Sequence, residues 1–250
     1  MIGIFDSGSG GLTVATKITK LLPQTDVVYI GDTKNMPYGN KSQQELIQLT
    51  ETLINFLIKK NCTTLVSACN SISSQVILTN TIKCNIPIIE MVLPTIHSLK
   101  RYTNKKVALV ATQATIASGM YQQECKKNKQ YVHFIANRHL ASAIEHNDAK
   151  KISQEIKKVI SNCLKNNCNV LSLSCTHYPL VITEFNKEIR KLPKPITIFD
   201  PSAAVAHVVK TITKNAGSGT FHAYTTSYNQ NFSKILQQKL PHATHEVISL

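Results

Sequence analysis

The 250-residue chain has no run of 18 or more apolar residues, which removes the ordinary signature of a membrane-spanning helix. No cysteines stand in C-x-x-C spacing, so the simplest zinc and thioredoxin-like readings fall away. The start, Met1-Ile2-Gly3-Ile4-Phe5-Asp6, lacks the basic leader and long apolar stretch of a secretory signal. Seven cysteines are an odd and thinly spread set, unlike a disulfide framework, so reduced thiols in the cytosol are expected. Acidic residues are scarce, 14 against 28 basic ones, giving a net charge of +14. Such an excess raises the question of nucleic acid. The charges form scattered pairs such as Lys59-Lys60 and Lys105-Lys106, with Lys126-Lys127-Asn128-Lys129 the densest run, and no single stripe. A solvated surface with a general attraction for small anions is the better reading.

What is present is an alternation of short apolar runs and longer helical stretches, the pattern of an α/β protein with parallel sheets. Strands are expected at residues 2–5, 27–31, 64–68, 86–89, 106–111, 131–135, 169–174 and 196–199. The clearest helix runs from Gln43 to Lys60. Ser42 and Glu45 form a capping box at its start, and Leu46, Leu49, Leu53, Ile54 and Leu57 make its apolar face. After Gly217-Ser218-Gly219 the tail reads as strand, helix and short strand, able to close back onto the first half.

One partial repeat organises the chain. Asn61-Cys62-Thr63-Thr64-Leu65-Val66-Ser67-Ala68-Cys69 is echoed by Asn167-Cys168-Asn169-Val170-Leu171-Ser172-Leu173-Ser174-Cys175. Each segment follows an amphipathic stretch and ends in a cysteine with polar residues after it. The expected fold is therefore α/β, with two similar domains, each a mostly parallel sheet flanked by helices, related by pseudo-two-fold symmetry. Residues 1–93 plus 208–250 would form the Cys69 side and residues 94–207 the Cys175 side. A lone cysteine in an apolar run is usually core. Two at equivalent strand ends suit proton transfer to and from one carbon on opposite faces, and a helix start after each strand would favour the thiolate. Cys62 and Cys168 precede the strands and read as structural; Cys84, Cys125 and Cys163 read as bystanders.

Asp6-Ser7-Gly8-Ser9-Gly10-Gly11 follows the first strand and precedes a helix, a setting for a ligand at a strand's carboxyl end. Thr13 stands where a G-x-G-x-x-G motif needs its third glycine, and a P-loop lysine is absent. Gly31-Asp32-Thr33 with Pro37-Tyr38-Gly39 reads, by itself, as a structural loop. Asn70, Ser71, Thr176 and His177 can donate hydrogen bonds to a carboxylate, and His177 can assist a proton at Cys175. A zinc site from Cys69, Cys175 and His177 lacks the usual pair spacing, so no metal is expected.

Taken together, residues 4–14, the Gly31-Asp32-Thr33 and Pro37-Tyr38-Gly39 pair, Ala68-Cys69-Asn70-Ser71 and Cys175-Thr176-His177-Tyr178-Pro179-Leu180 resemble the glutamate racemases. Thr225-Thr226 and the tail around them resemble the longer form of that family. The resemblance implies a cofactor-independent enzyme that interconverts L- and D-glutamate for peptidoglycan, built from two α/β domains around a cleft and commonly dimeric. Carried over, Cys69 would serve the D-glutamate side and Cys175 the L-glutamate side, assisted by Asp6 and His177 respectively. Asp6, Ser7, Tyr38, Gly39, Asn70, Ser71, Thr176 and His177 would hold the substrate. Glu145 matches an acidic residue near the family's site, in surroundings that align poorly. Ser9, Ser71 and Ser174 depart from the family's valine, threonine and glycine.

The nearest rival is an aspartate racemase, disfavoured because that branch tends to carry an acidic residue in place of His177. A binding protein without catalysis is the rival from another class, disfavoured by the two intact thiols. Binding of nucleic acid, or of DNA gyrase as reported for some members of the family, ranks below both as a secondary role.

Overall fold

The computed structural model describes residues 1–250. β1 (Ile2–Asp6), α1 (Leu12–Leu21), β2 (Val27–Gly31), α2 (Gln43–Lys59), β3 (Thr64–Ser67), the helical turn α3 (Asn70–Ile72) and β4 (Ile88–Ile89) come first. α4 (Val92–Leu99) leads to β5 (Val107–Thr112), α5 (Gln113–Ala117), α6 (Met120–Lys127), β6 (Val132–Asn137), α7 (Leu140–Glu145), α8 (Ala149–Lys165), β7 (Val170–Leu173), α9 (Ile182–Ile189) and β8 (Thr197–Phe199). α10 (Ser202–Ile212) returns the chain to β9 (Phe221–Thr225), α11 (Gln230–Lys239) and β10 (Thr244–Val247). No helix is long and apolar enough to cross a membrane.

Two sheets result. One has the order β10-β9-β2-β1-β3-β4, the other β6-β5-β7-β8, and every pairing is parallel. Within the first sheet, β2-β1-β3-β4 repeats the order of the second, so the pseudo-symmetry expected from the repeat is present in the topology. The tail closes onto the first half as expected, β9 pairing with β2. Side chains alternate across each sheet. Ile2, Ile4, Val27 and Tyr29 face α1 and α10, whereas Phe5, Val28, Ile30 and Leu65 face α2. In the second half Ala108, Val110 and Leu171 face α8, and Val107, Leu109 and Val170 face α4 and α6. Sheets buried on both faces explain why the strands read as continuous apolar runs rather than alternating ones.

The strand expected over 86–89 pairs only at Ile88–Ile89. Pro87 has no N–H to give the ladder; its carbonyl accepts from Leu65 N at 2.9 Å. The capping box of α2 is formed, with Ser42 Oγ accepting from Glu45 N and Glu45 accepting from Ser42 N. Burial of Leu46, Leu53, Ile54 and Leu57 then holds the helix on the sheet, at roughly 1.5–3 kcal/mol for each fully buried side chain.

The shared Asn-Cys pairs prove to be helix stops. Asn61 and Asn167 take the left-handed conformation, φ 61° and 54°, just past α2 and α8. Cys62 N then donates to Leu57 O at 3.1 Å and Cys168 N to Cys163 O at 2.9 Å, closing each helix in a Schellman arrangement. Both cysteines are buried against their helices, as structural residues.

Candidate active site

The third strand of each half carries its cysteine to the same place. Ala68 N donates to Phe5 O and Ser174 N to Val110 O, both at 2.9 Å, and Cys69 and Cys175 are the next residues along. Both thiols are free, buried, and on the wall of one small cavity of about 30 Å³. Ser7, Tyr38, Gly39, Asn70, Ser71, Thr176 and His177 also line it, so the sequence-derived residues converge. Asp6 is not on the wall. It lies fully buried just behind, Oδ2 accepting from Gly8 N at 3.1 Å and Gly11 N at 2.9 Å, with Oδ1 unpartnered.

The two thiols have opposite electrostatic neighbours. Burial, and after it the charge of Asp6, pushes the Cys69 thiol up to about 12. The expectation that a helix start would favour its thiolate is therefore corrected: a helical segment does begin at Asn70, continuing from α3 into a π-helical turn at Ser73–Ile77, and the Ile72 N–H lowers the thiol, but burial and Asp6 outweigh it. Cys69 Sγ lies 3.9 Å from Ser7 Oγ. Cys175 is followed not by an α-helix but by a tight turn at Tyr178–Val181, and its Sγ lies 3.9 Å from His177 Nδ1.

His177 Nε2 in turn meets Glu145 Oε1 at 2.7 Å, deep inside the protein. Burial opposes the charge on His177, but contact with Cys175 and Glu145 outweighs it and holds the imidazole well above its usual range. Burial likewise opposes charge on Glu145, yet the His177 bond and charge bring its carboxyl down to about 2. Cys175 thus faces a cation and Cys69 an anion. Burial pushes the Asp6 carboxyl up to about 6, against the pull of His177 and the two N–H groups.

Sequence reasoning placed Glu145 uncertainly; the structure brings it into the centre. The same Oε1 accepts from Ser9 N at 2.7 Å, so one carboxylate joins the glycine-rich loop of the first half to the histidine of the second. Its signal was obscured because α7 and its flanks carry no motif. Met36, Pro37, Thr112 and Ala141 also line the cavity and were not singled out. Thr112 ends β5, and its Oγ1 lies 3.2 Å from Ser71 Oγ and 2.9 Å from Thr115 Oγ1. Only the pseudo-symmetry of strand ends pointed to it.

Asp32 plays a scaffold role. It accepts from Tyr38 OH at 2.5 Å, Thr226 Oγ1 at 2.6 Å and Asn35, tying the tail to the loop that presents Tyr38 and Gly39. Close approach explains Gly10. A Cβ there would stand 2.6 Å from His177 Nδ1 and Thr176 Oγ1 and 2.8 Å from His177 N. Gly10→Ala should therefore cost about 1–3 kcal/mol of stability by overpacking. It should also lower kcat by about tenfold to a hundredfold, because the Thr176-His177 turn must shift. Thermal melting and steady-state kinetics check both; wild-type kcat would show the turn to be compliant.

A parallel α/β pair of halves with one thiol from each at a shared cavity defines a class of two-halved α/β proteins with a thiol-lined cleft. A family model described as Asp/Glu/Hydantoin racemase matches residues 8–209, and the chain belongs to that family. It is 34% identical over 259 residues to the glutamate racemase of Aquifex aeolicus, covering 100% of this chain and 99% of that one. The structure of glutamate racemase isoform RacE1 from Bacillus anthracis superposes with a TM-score of 0.88 at 28% identity, covering 100% of this chain and 97% of that one. The glutamate racemase of Francisella tularensis, solved with D-glutamate, gives 0.83 at 27%, with coverage of 100% and 96%. These full-length matches put the chain in the glutamate racemase branch, among the isomerases.

Proposed function

We propose that this enzyme interconverts L- and D-glutamate by a two-cysteine acid/base mechanism that needs no cofactor. The observation that carries the reading is the pair of buried thiols at equivalent strand ends on one cavity. An amino-acid α-proton is very weakly acidic, so the enclosed site must stabilise the carbanion as it forms, with hydrogen-bond donors in place of water. Cys69 works on the D-glutamate side and Cys175 on the L-glutamate side. The Glu145-held imidazolium supports a thiolate at Cys175, while buried Cys69 beside Asp6 keeps its proton ready for delivery to the opposite face. Turnover of the other enantiomer reverses the roles. Ser7, Tyr38, Gly39, Asn70, Ser71, Thr176 and His177 hold the substrate, with Asp6 acting through Cys69.

The cavity of about 30 Å³ is far smaller than ordinary ligand sites, so in this reading the halves part to admit an amino acid. Bonds of Ser71 to Thr112 and of Thr13 to the Thr176 carbonyl, at 3.2 Å each, and of Ser9 N to Glu145 at 2.7 Å are among those that span the cleft. The reading assigns two domains, residues 1–93 with 208–250 and residues 94–207. It also assigns supply of D-glutamate for peptidoglycan in the cytosol by a homodimer. These last assignments rest on the family resemblance. The D-glutamate bound to the Francisella tularensis relative supports the substrate.

Incubation in deuterium oxide tests the chemistry. Either glutamate enantiomer should take up deuterium at the α-carbon as optical activity is lost, whereas L-aspartate should do so far more slowly. No uptake from glutamate would leave a binding protein; faster uptake from aspartate would move the substrate to the rival class.

A further inference from the structure

We propose that Tyr121 is a positioning residue that turns the Asn70 side chain so that its NH2 group, not its carbonyl, faces the substrate. The inference rests on the reading of the cavity as the glutamate site. Tyr121 comes from α6 of the second half and is fully buried, among apolar residues of α4 and β5. Its OH donates to Asn70 Oδ1 at 2.7 Å, reaching the residue directly after Cys69. Asn70 lines the cavity, and its Nδ2 is buried with no partner. A buried amide N–H without an acceptor is costly, so a donor kept in this condition on a cavity wall is suited to an anionic ligand.

Asn70 Oδ1 is the acceptor the phenol bonds. The hydroxyls of Thr95 and Ser174 also lie beside it. Each has another partner, Thr95 Oγ1 donating to Met91 O at 2.6 Å and Ser174 Oγ standing 2.9 Å from Ser172 Oγ. Burial holds the phenol far above its usual range, so it remains a donor throughout the working pH. A phenolic proton aimed at the amide can be accepted only by oxygen, and the NH2 is then presented to the cavity. Tyr121 thus touches the residue after one catalytic cysteine and the residue before the other. Ser174, where the resembled family has glycine, adds a hydroxyl at that same point.

The test is steady-state kinetics of Tyr121→Phe, Asn70→Ala and the double variant, with the wild type alongside. Tyr121→Phe keeps the ring and its packing, so thermal melting should move by only a few degrees. KM for both enantiomers should rise about five- to tenfold with kcat within about twofold, the loss of one oriented hydrogen bond. Added to Asn70→Ala, the change should do nothing further, since the group it orients is gone. Asn70→Asp carries the test by itself should Tyr121→Phe not fold. It places an oxygen where the NH2 is assigned and should raise KM about a hundredfold or more through repulsion of the substrate carboxylate. Unchanged KM in Tyr121→Phe, a lower kcat with unchanged KM, additive effects with Asn70→Ala, or wild-type KM in Asn70→Asp would each overturn the assignment. A wild type inactive on glutamate would instead overturn the reading of the site, and the assignment with it.

Discussion

Cys69→Ser and Cys175→Ser should each lower racemisation by about a thousandfold or more, in both directions. A positioned acid or base contributes roughly 10²–10⁴ in rate, and a serine hydroxyl near neutral pH is a far poorer base than a thiolate. In the proposed mechanism each turnover uses one thiolate and one thiol, so loss of either slows both directions. Enantiomers have equal free energy, so kcat/KM must fall by the same factor from L- and from D-glutamate. Both cysteines are buried and the exchange of sulfur for oxygen is nearly isosteric, so the fold should survive. Circular dichroism of substrate consumption, started from each enantiomer, gives the answer. Near-normal activity in either variant would refute the two-thiol mechanism.

Asp6→Asn should move stability and activity in opposite directions. The Asp6 carboxyl has an ordinary value of 3.8 and stands near 6 in the folded protein, chiefly because it is buried. Between these values the folded state keeps a proton that the unfolded chain has lost, so rising pH destabilises the fold through this group. Above about pH 6 the full cost applies, on the order of 2–3 kcal/mol. Asparagine removes the charge while its oxygen can still accept from Gly8 and Gly11. The variant should melt several degrees higher near neutral pH, and the advantage should shrink through pH 6 and vanish below about pH 4. Its kcat should fall by about a hundredfold, since the carboxylate beside Cys69 is gone. Melting curves from pH 4 to 8 decide it; an equal gain at every pH would mean that burial does not raise the Asp6 carboxyl above its value in the unfolded chain. The site thus holds a destabilising charge for its chemistry.

Much of this was readable in the chain. The Asn-Cys…Cys echo located both cavity thiols and the two-fold plan, because a helix stop and a buried strand each impose a local residue pattern. The capping box at Ser42 and the apolar face of α2 were legible for the same reason. The role of Glu145 was not, because nothing in α7 marks a residue whose partners are 32 and 136 positions away. Tyr121 was invisible for the same reason: its partner Asn70 is 51 residues earlier and belongs to the other half.

Local physics written into the sequence therefore settled the elements, their parallel order and the pair of cysteines. Folding decided how the two cysteines differ. Phe5 and Val110 occupy equivalent strand positions, but Asp6 follows the first and Ala111 the second, and only the packing of α7 sets Glu145 behind His177. Charge effects depend on distance and burial, which a repeat in sequence does not contain. Two equivalent thiols thus end beside opposite charges, Cys69 near a buried carboxyl and Cys175 near an imidazolium.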